Sequence, residues 1–159
     1  MLIHGYGSNE RDLFSLIDYF PIDSYVISLR APKELFNDSY AWYDIYLDSN
    51  NKFYDHDAAA RVRDELFHFI DDLSKSPNID SDNITLIGFS QGAILSHAIS
   101  FSYPEKIKNI IALSGVVDEK IMKKTSMIPK TNIYISHGTN DNLIAVSYTH
   151  LTLPTKQMV

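Results

Sequence analysis

The chain has no cysteine among its 159 residues. That excludes disulfides, thiolate metal sites and a thiol nucleophile. No apolar run approaches the roughly 20 residues a membrane-spanning helix needs, so no integral membrane segment is expected. Positive charge is sparse and scattered: 14 Lys and Arg stand against 20 Asp and Glu, for a net charge of −6. The longest basic run is Lys123-Lys124, and no nucleic-acid partner is expected. HExxH and other metal-ligand spacings are missing, so no metal site is expected. There are no internal repeats, no low-complexity tracts and no linker. The opening MLIHGYGSNE has neither a basic n-region nor an apolar h-region, so no signal peptide and a cytoplasmic location are expected.

What remains is enough for one domain with a core: 45% of residues are apolar, including ten Tyr and eight Phe. Hydrophobic periodicity then divides the chain. Leu2-Ile3 read as the tail of a strand, followed by a Gly-containing turn, HGYGS. Leu13, Leu16, Ile17 and Phe20 share a helical face, which predicts a helix over 9–20. Tyr25 to Leu29 is a short β-rich run. Residues 31–55 are aromatic without a period and read as a long loop with a small excursion. Val62, Leu66, Phe69, Ile70 and Leu73 predict a helix over 57–74. Ile84–Ile87 reads as a buried strand, 91–102 as a buried helix and Ile107–Leu113 as a strand. A short helix over 118–124 and a strand over Ile133–Ser136 complete the pattern. Continuous apolar strands alternating with helices indicate an α/β fold, a mainly parallel central sheet covered on both faces.

At the centre lies GFSQG, Gly88 to Gly92. A buried strand precedes it and a buried helix follows at once. A serine on so sharp a turn is strained, and its neighbours two residues either side must be small to let strand and helix approach. The turn also points the first helix amides at the hydroxyl, where an oxyanion would develop. The competing reading is a plain strand–turn–helix with a capping serine. HGYG, His4 to Gly7, follows an earlier strand and is placed to give a second oxyanion donor, naturally the amide of Tyr6.

Six segments occur in order: LIHGYGSNERDLFSL, ISLRAP, YAWYDI, ITLIGFSQGAILSHA, IIALSG and SHGTND. Together, over roughly residues 1–144, they resemble the α/β-hydrolase family of bacterial carboxylesterase/phospholipases and acyl-protein thioesterases. The resemblance implies a three-layer α/β-hydrolase fold and a cofactor-free serine esterase. Its partner would be a small-molecule or lipid ester: a carboxylic ester, a lysophospholipid or an acyl thioester. It implies Ser90 as nucleophile, the amides of Tyr6 and Gln91 as the oxyanion hole, and Trp42 lining the acyl pocket. Taken alone, Trp42 is as consistent with a core or surface tryptophan. Oligomeric state stays open.

Triad order in this fold is Ser, then acid, then His. Asp141 follows the strand NIYIS and the loop HGTN, on the same sheet rim as the serine, and the resemblance puts the acid there. Asp118 also follows a strand and is the competitor. His137 precedes Asp141 and reads as a structural histidine, as does His4. His97 reads as packed against its own helix, and His56 and His68 as surface or boundary residues. After Asp141 only His150 remains, and no later strand or helix would orient its ring.

The tail VSYTHLTLPT, Val146 to Thr155, resembles the translated end of a transposon-type sequencing-library adapter. The expectation is a single α/β-hydrolase core over 1–144, incomplete at both ends and lacking the catalytic histidine, followed by a non-native tail over 145–159. Such a chain should be nearly inactive and prone to association through its open sheet edges. A non-catalytic α/β-hydrolase-fold binding protein is the alternative, and a peptidase or lactonase on the same fold a third reading.

Overall fold

The computed structural model describes residues 1–48 and 51–138. Its centre is a parallel sheet of five strands. These are β1 (Leu2–Ile3), β2 (Ser28–Leu29), β7 (Thr85–Phe89), β8 (Asn109–Leu113) and β9 (Asn132–Ser136), in the spatial order β2-β1-β7-β8-β9. Every connection between neighbours is a crossover, as parallel pairing demands.

Alternation along the strands sorts the core into two faces. Ile3, Leu86, Ile110 and Ala112 point into the larger cluster, beneath helices α2 (His56–Leu73) and α3 (Gln91–Ser102). Leu2 and Ile87, with Ile111 and Leu113 beside them, face the other side against Leu13, Leu16 and Phe20. Strands buried on both faces read as continuous apolar runs, which is why β7 and β8 were visible without any period.

Helix α2 starts where Asp55 accepts from the amides of Asp57 at 2.9 Å and Ala58 at 3.1 Å. Its buried stripe is Ala59, Arg63, Leu66 and Ile70. Phe69, expected on that stripe, is exposed. Arg63 is buried because its guanidinium donates to the Ile121 carbonyl and to Asp64. Helix α3 is buried from Gln91 to Ser100. Leu95 and Ile99 are completely enclosed, and each such side chain contributes roughly 1.5–3 kcal/mol.

Four expectations need correction. The helix expected over 9–20 is broken into α1 (Arg11–Phe14) and a 3₁₀ turn (Ile17–Tyr19). Ser15 Oγ donates to the Asp12 carbonyl at 2.6 Å, a local bond that competes with helix continuation. Residues 31–55 are not a loop: they hold two antiparallel hairpins, β3 (Lys33–Phe36) with β4 (Ser39–Ala41), and β5 (Ile45–Asp48) with β6 (Asn51–Tyr54). The first hairpin turns through Asn37 and Asp38, both at positive φ, the backbone that two-residue hairpin loops favour. The helix expected over 118–124 is one 3₁₀ turn (Glu119–Ile121), capped by Asp118. The paired part of the run at 25–29 shrinks to Ser28–Leu29, because β1 offers only two residues to pair with.

Candidate active site

Ser90 occupies the single position between β7 and α3, at φ 50° and ψ −112°. A non-glycine residue in that region costs on the order of 1–3 kcal/mol. The conformation is held from three sides. The Ser90 amide donates to the Leu113 carbonyl at 2.9 Å, and its carbonyl accepts from Ala93 at 3.0 Å and Ile94 at 3.1 Å. Close backbone approach completes the elbow. A Cβ on Gly88 would lie 2.3 Å from the Gly92 carbonyl oxygen, and one on Gly92 would lie 1.9 Å from the Ile3 oxygen. No side chain fits at either position. Ser90 itself is half-buried and sits just beyond the carboxyl end of β7.

The HGYG turn packs directly against this elbow. A Cβ built on Gly5 would stand 3.3 Å from Ser90 Cβ and 2.9 Å from the ring of Phe89. Gly7 has φ +80°, and the Ser8 amide reaches the Gly5 carbonyl at 3.3 Å, as at the third position of a type II turn. The β3–β4 hairpin braces the turn from outside. Gly7 donates to the Tyr40 carbonyl and Tyr40 to the Ser8 carbonyl, both at 2.8 Å, while Ser39 Oγ donates to the Gly7 carbonyl at 2.7 Å. Among the described residues, no acceptor takes the amide of Tyr6 or the amide of Gln91. The amide of Gln91 follows the serine and that of Tyr6 follows Gly5, which packs on it, and neither donates to a described residue.

The side chain of Gln91 ties the elbow to the segment after β4. Its Oε1 accepts from the Trp42 amide at 3.1 Å and its Nε2 donates to the Tyr43 carbonyl at 2.7 Å. Trp42 is 4% exposed, and its indole N–H donates to the His4 carbonyl at 2.9 Å. The His4 ring closes the network. The Ala31 amide donates to His4 Nε2 at 3.1 Å, and His4 Nδ1 lies 2.7 Å from the Gly5 carbonyl. Burial lowers the pKa of this imidazole.

Asp118, the competing acid, is engaged elsewhere. It accepts from the Tyr54 hydroxyl and from the Lys120 amide at 2.9 Å, and His56 Nε2 stands 3.6 Å away. Asp141 and His150 lie outside the described residues, as does the tail from 145. His97 is enclosed within α3, and its Nδ1 has no hydrogen-bond partner among the described residues. Two clefts, about 540 and 560 Å³, open toward the amino ends of the strands, lined by residues such as Lys108 and Lys130 or Ile84 and Ile27. Neither includes the elbow.

His4 is the structural histidine expected, but the sequence did not show its partners, nor those of Ser39 and the Gln91 side chain. Their partners are 27, 32 and 49 residues away in the chain, so no local spacing announces them.

Residues 1–157 match the Phospholipase/Carboxylesterase family. Acyl-protein thioesterase 1 of Schizosaccharomyces pombe is 31% identical over 107 residues, 65% of this chain and 47% of that protein. Among solved structures, esterase PE8 is 30% identical with a TM-score of 0.76, over 93% of this chain and 71% of that one. The Bacillus cereus carboxylesterase is 25% identical with a TM-score of 0.77, over 93% and 68%. The chain spans about half the length of the curated relatives it matches. The parallel sheet with helices on both faces is an incomplete version of the fold those esterases share, and the chain belongs to the Phospholipase/Carboxylesterase family.

Proposed function

We propose that the chain carries the nucleophile half of a serine hydrolase acting on carboxylic esters or acyl thioesters. Ser90 attacks the acyl carbonyl. The amides of Tyr6 and Gln91 receive the oxyanion, Asp141 orients a histidine base, and water releases the acyl group. Trp42, buried against the HGYG turn, backs the wall on which the acyl chain packs. The observation that carries this reading is Ser90 in a strained conformation, with two nearby amides that donate to no described residue. A capping serine needs neither feature.

The reading requires a base after Asp141. Within this sequence only His150 follows. We propose that the working histidine belongs to a longer parent protein and that residues from about 145 onward are not native. Loss of the base from a serine triad costs on the order of 10⁶ in turnover, so this chain should barely hydrolyse 4-nitrophenyl butyrate. Enzyme-like rates abolished by Ser90→Ala would sink the missing-base argument.

The second reading, a non-catalytic binding protein, draws on the histidines. His4 is committed at both ring nitrogens, His56 sits beside Asp118, and His97 is enclosed in the core. Sequencing the source DNA across codon 144 separates the two. A frame that continues into a helix, a strand and a histidine, in a protein whose esterase activity needs Ser90, supports the enzyme. A genomic stop after VSYTHLTLPTKQMV favours the binding protein.

A further inference from the structure

We infer that His4 is a positioning residue for the oxyanion hole: its Nδ1–H grips the Gly5 carbonyl and so fixes the direction of the Tyr6 N–H. The inference rests on the reading of Tyr6 as an oxyanion donor.

The tautomer follows from the partners. A backbone amide can only donate, so Ala31 N–H at 3.1 Å obliges His4 Nε2 to be the acceptor. A neutral imidazole has one proton, which must then sit on Nδ1, 2.7 Å from the Gly5 oxygen. Burial keeps the ring neutral. The Gly5 carbonyl and the Tyr6 N–H belong to one planar trans peptide and point in opposite directions. Whatever holds the carbonyl against buried His4 therefore turns the N–H away from the core. The second donor to this carbonyl, Ser8 N–H at 3.3 Å, is the longer contact. A donor on the carbonyl also polarises the peptide and strengthens its N–H.

The His4 ring is held in turn. Its own carbonyl accepts the Trp42 indole at 2.9 Å, and the two rings lie 5.3 Å apart. Gln91 fixes the Trp42 backbone. One chain of contacts thus runs from the residue giving the second oxyanion amide back to the peptide giving the first, and the two donors are set relative to each other.

The test is NMR on this chain, without any ester. In the wild type, ring ¹⁵N shifts should show Nδ1–H, and a coupling through the hydrogen bond should join Nδ1 to the Gly5 carbonyl carbon. In His4→Asn the side-chain amide can reach the Nδ1 position, and the Tyr6 N–H residual dipolar coupling should stay near its wild-type value. In His4→Gln the amide reaches the Nε2 position instead, and the Tyr6 coupling should change. An Nε2–H tautomer, a missing through-bond coupling, or an unmoved Tyr6 vector in folded His4→Gln overturns the proposal. If both variants unfold, the wild-type tautomer and coupling decide it. A firmly held Tyr6 amide in a parent protein that shows no Ser90-dependent chemistry would sink the esterase reading and leave the role of His4 in the turn intact.

Discussion

The backbone amide of Trp42 donates to the side chain of Gln91 across 49 residues of sequence, at 3.1 Å and fully out of water. The same side chain satisfies the Tyr43 carbonyl at 2.7 Å. Gln91→Leu would strand a buried donor and a buried acceptor, a loss of about 2–4 kcal/mol. Trp42 is the single tryptophan of the chain, so its fluorescence reports the site directly. The expected outcome is a lower denaturant midpoint together with a red-shifted emission. Unchanged emission would mean that Trp42 does not depend on Gln91.

Glycine positions give a contrast. Gly92→Ala would put a methyl 1.9 Å from the Ile3 carbonyl oxygen, where neither backbone can retreat, whereas a methyl on Gly138 meets no described atom within 4 Å. Overpacking of the first kind should cost at least about 3 kcal/mol or prevent folding, and the second change should stay within about 0.5 kcal/mol. Thermal melts of the two variants check both.

Ser90 is strained in the folded chain at φ 50°. Glycine adopts such a backbone freely but adds chain entropy to the unfolded state. Ser90→Gly should therefore raise stability by about 1 kcal/mol, while Ser90→Ala, which keeps the strain, should not. Urea titration of the three proteins distinguishes strain from ordinary packing.

Acid should weaken the fold through His97. Burial lowers its pKa from 6.5 to about 4. Between those values the unfolded chain binds the proton and the folded chain does not. The contribution is whole above pH 6.5 and falls as the pH drops toward 4. The loss should reach roughly 2–3 kcal/mol by pH 4.5. His97→Leu should flatten that slope without abolishing it, because burial lowers the His4 pKa too. Stability measured at pH 7 and pH 4.5 for both proteins is the check.

The parts of the fold legible in the sequence are those whose signal is local. The apolar run of β7, the all-round apolar α3 and the Gly-x-Ser-x-Gly spacing between them need no partner to be read. The hairpins at 33–54 are not legible because their aromatic residues follow no period of two, and because Asn37-Asp38, which turns through positive φ, lacks the glycine that usually marks such a turn. The helix expected at 9–20 had the right apolar face, and Leu13, Leu16 and Phe20 do pack together. Its backbone breaks at Ser15 all the same. At the site, Ser90 and the HGYG turn were legible from their small residues. The hydrogen bonds of His4 and Gln91 were not, since each depends on segments that only the folded sheet brings together.

The contact between Gly92 and the Ile3 carbonyl has a consequence for any mutational scan of this chain. Position 92 will reject every side chain under selection for abundance alone, before any ester is offered. Position 90 should behave in the opposite way, tolerating small residues for abundance and, under the proposed function, refusing them only when turnover is selected in a parent protein that keeps its base. In such a parent, depletion at both positions under an activity screen would look the same, and only the paired abundance screen separates a residue that lets the backbone close from one proposed to meet the substrate.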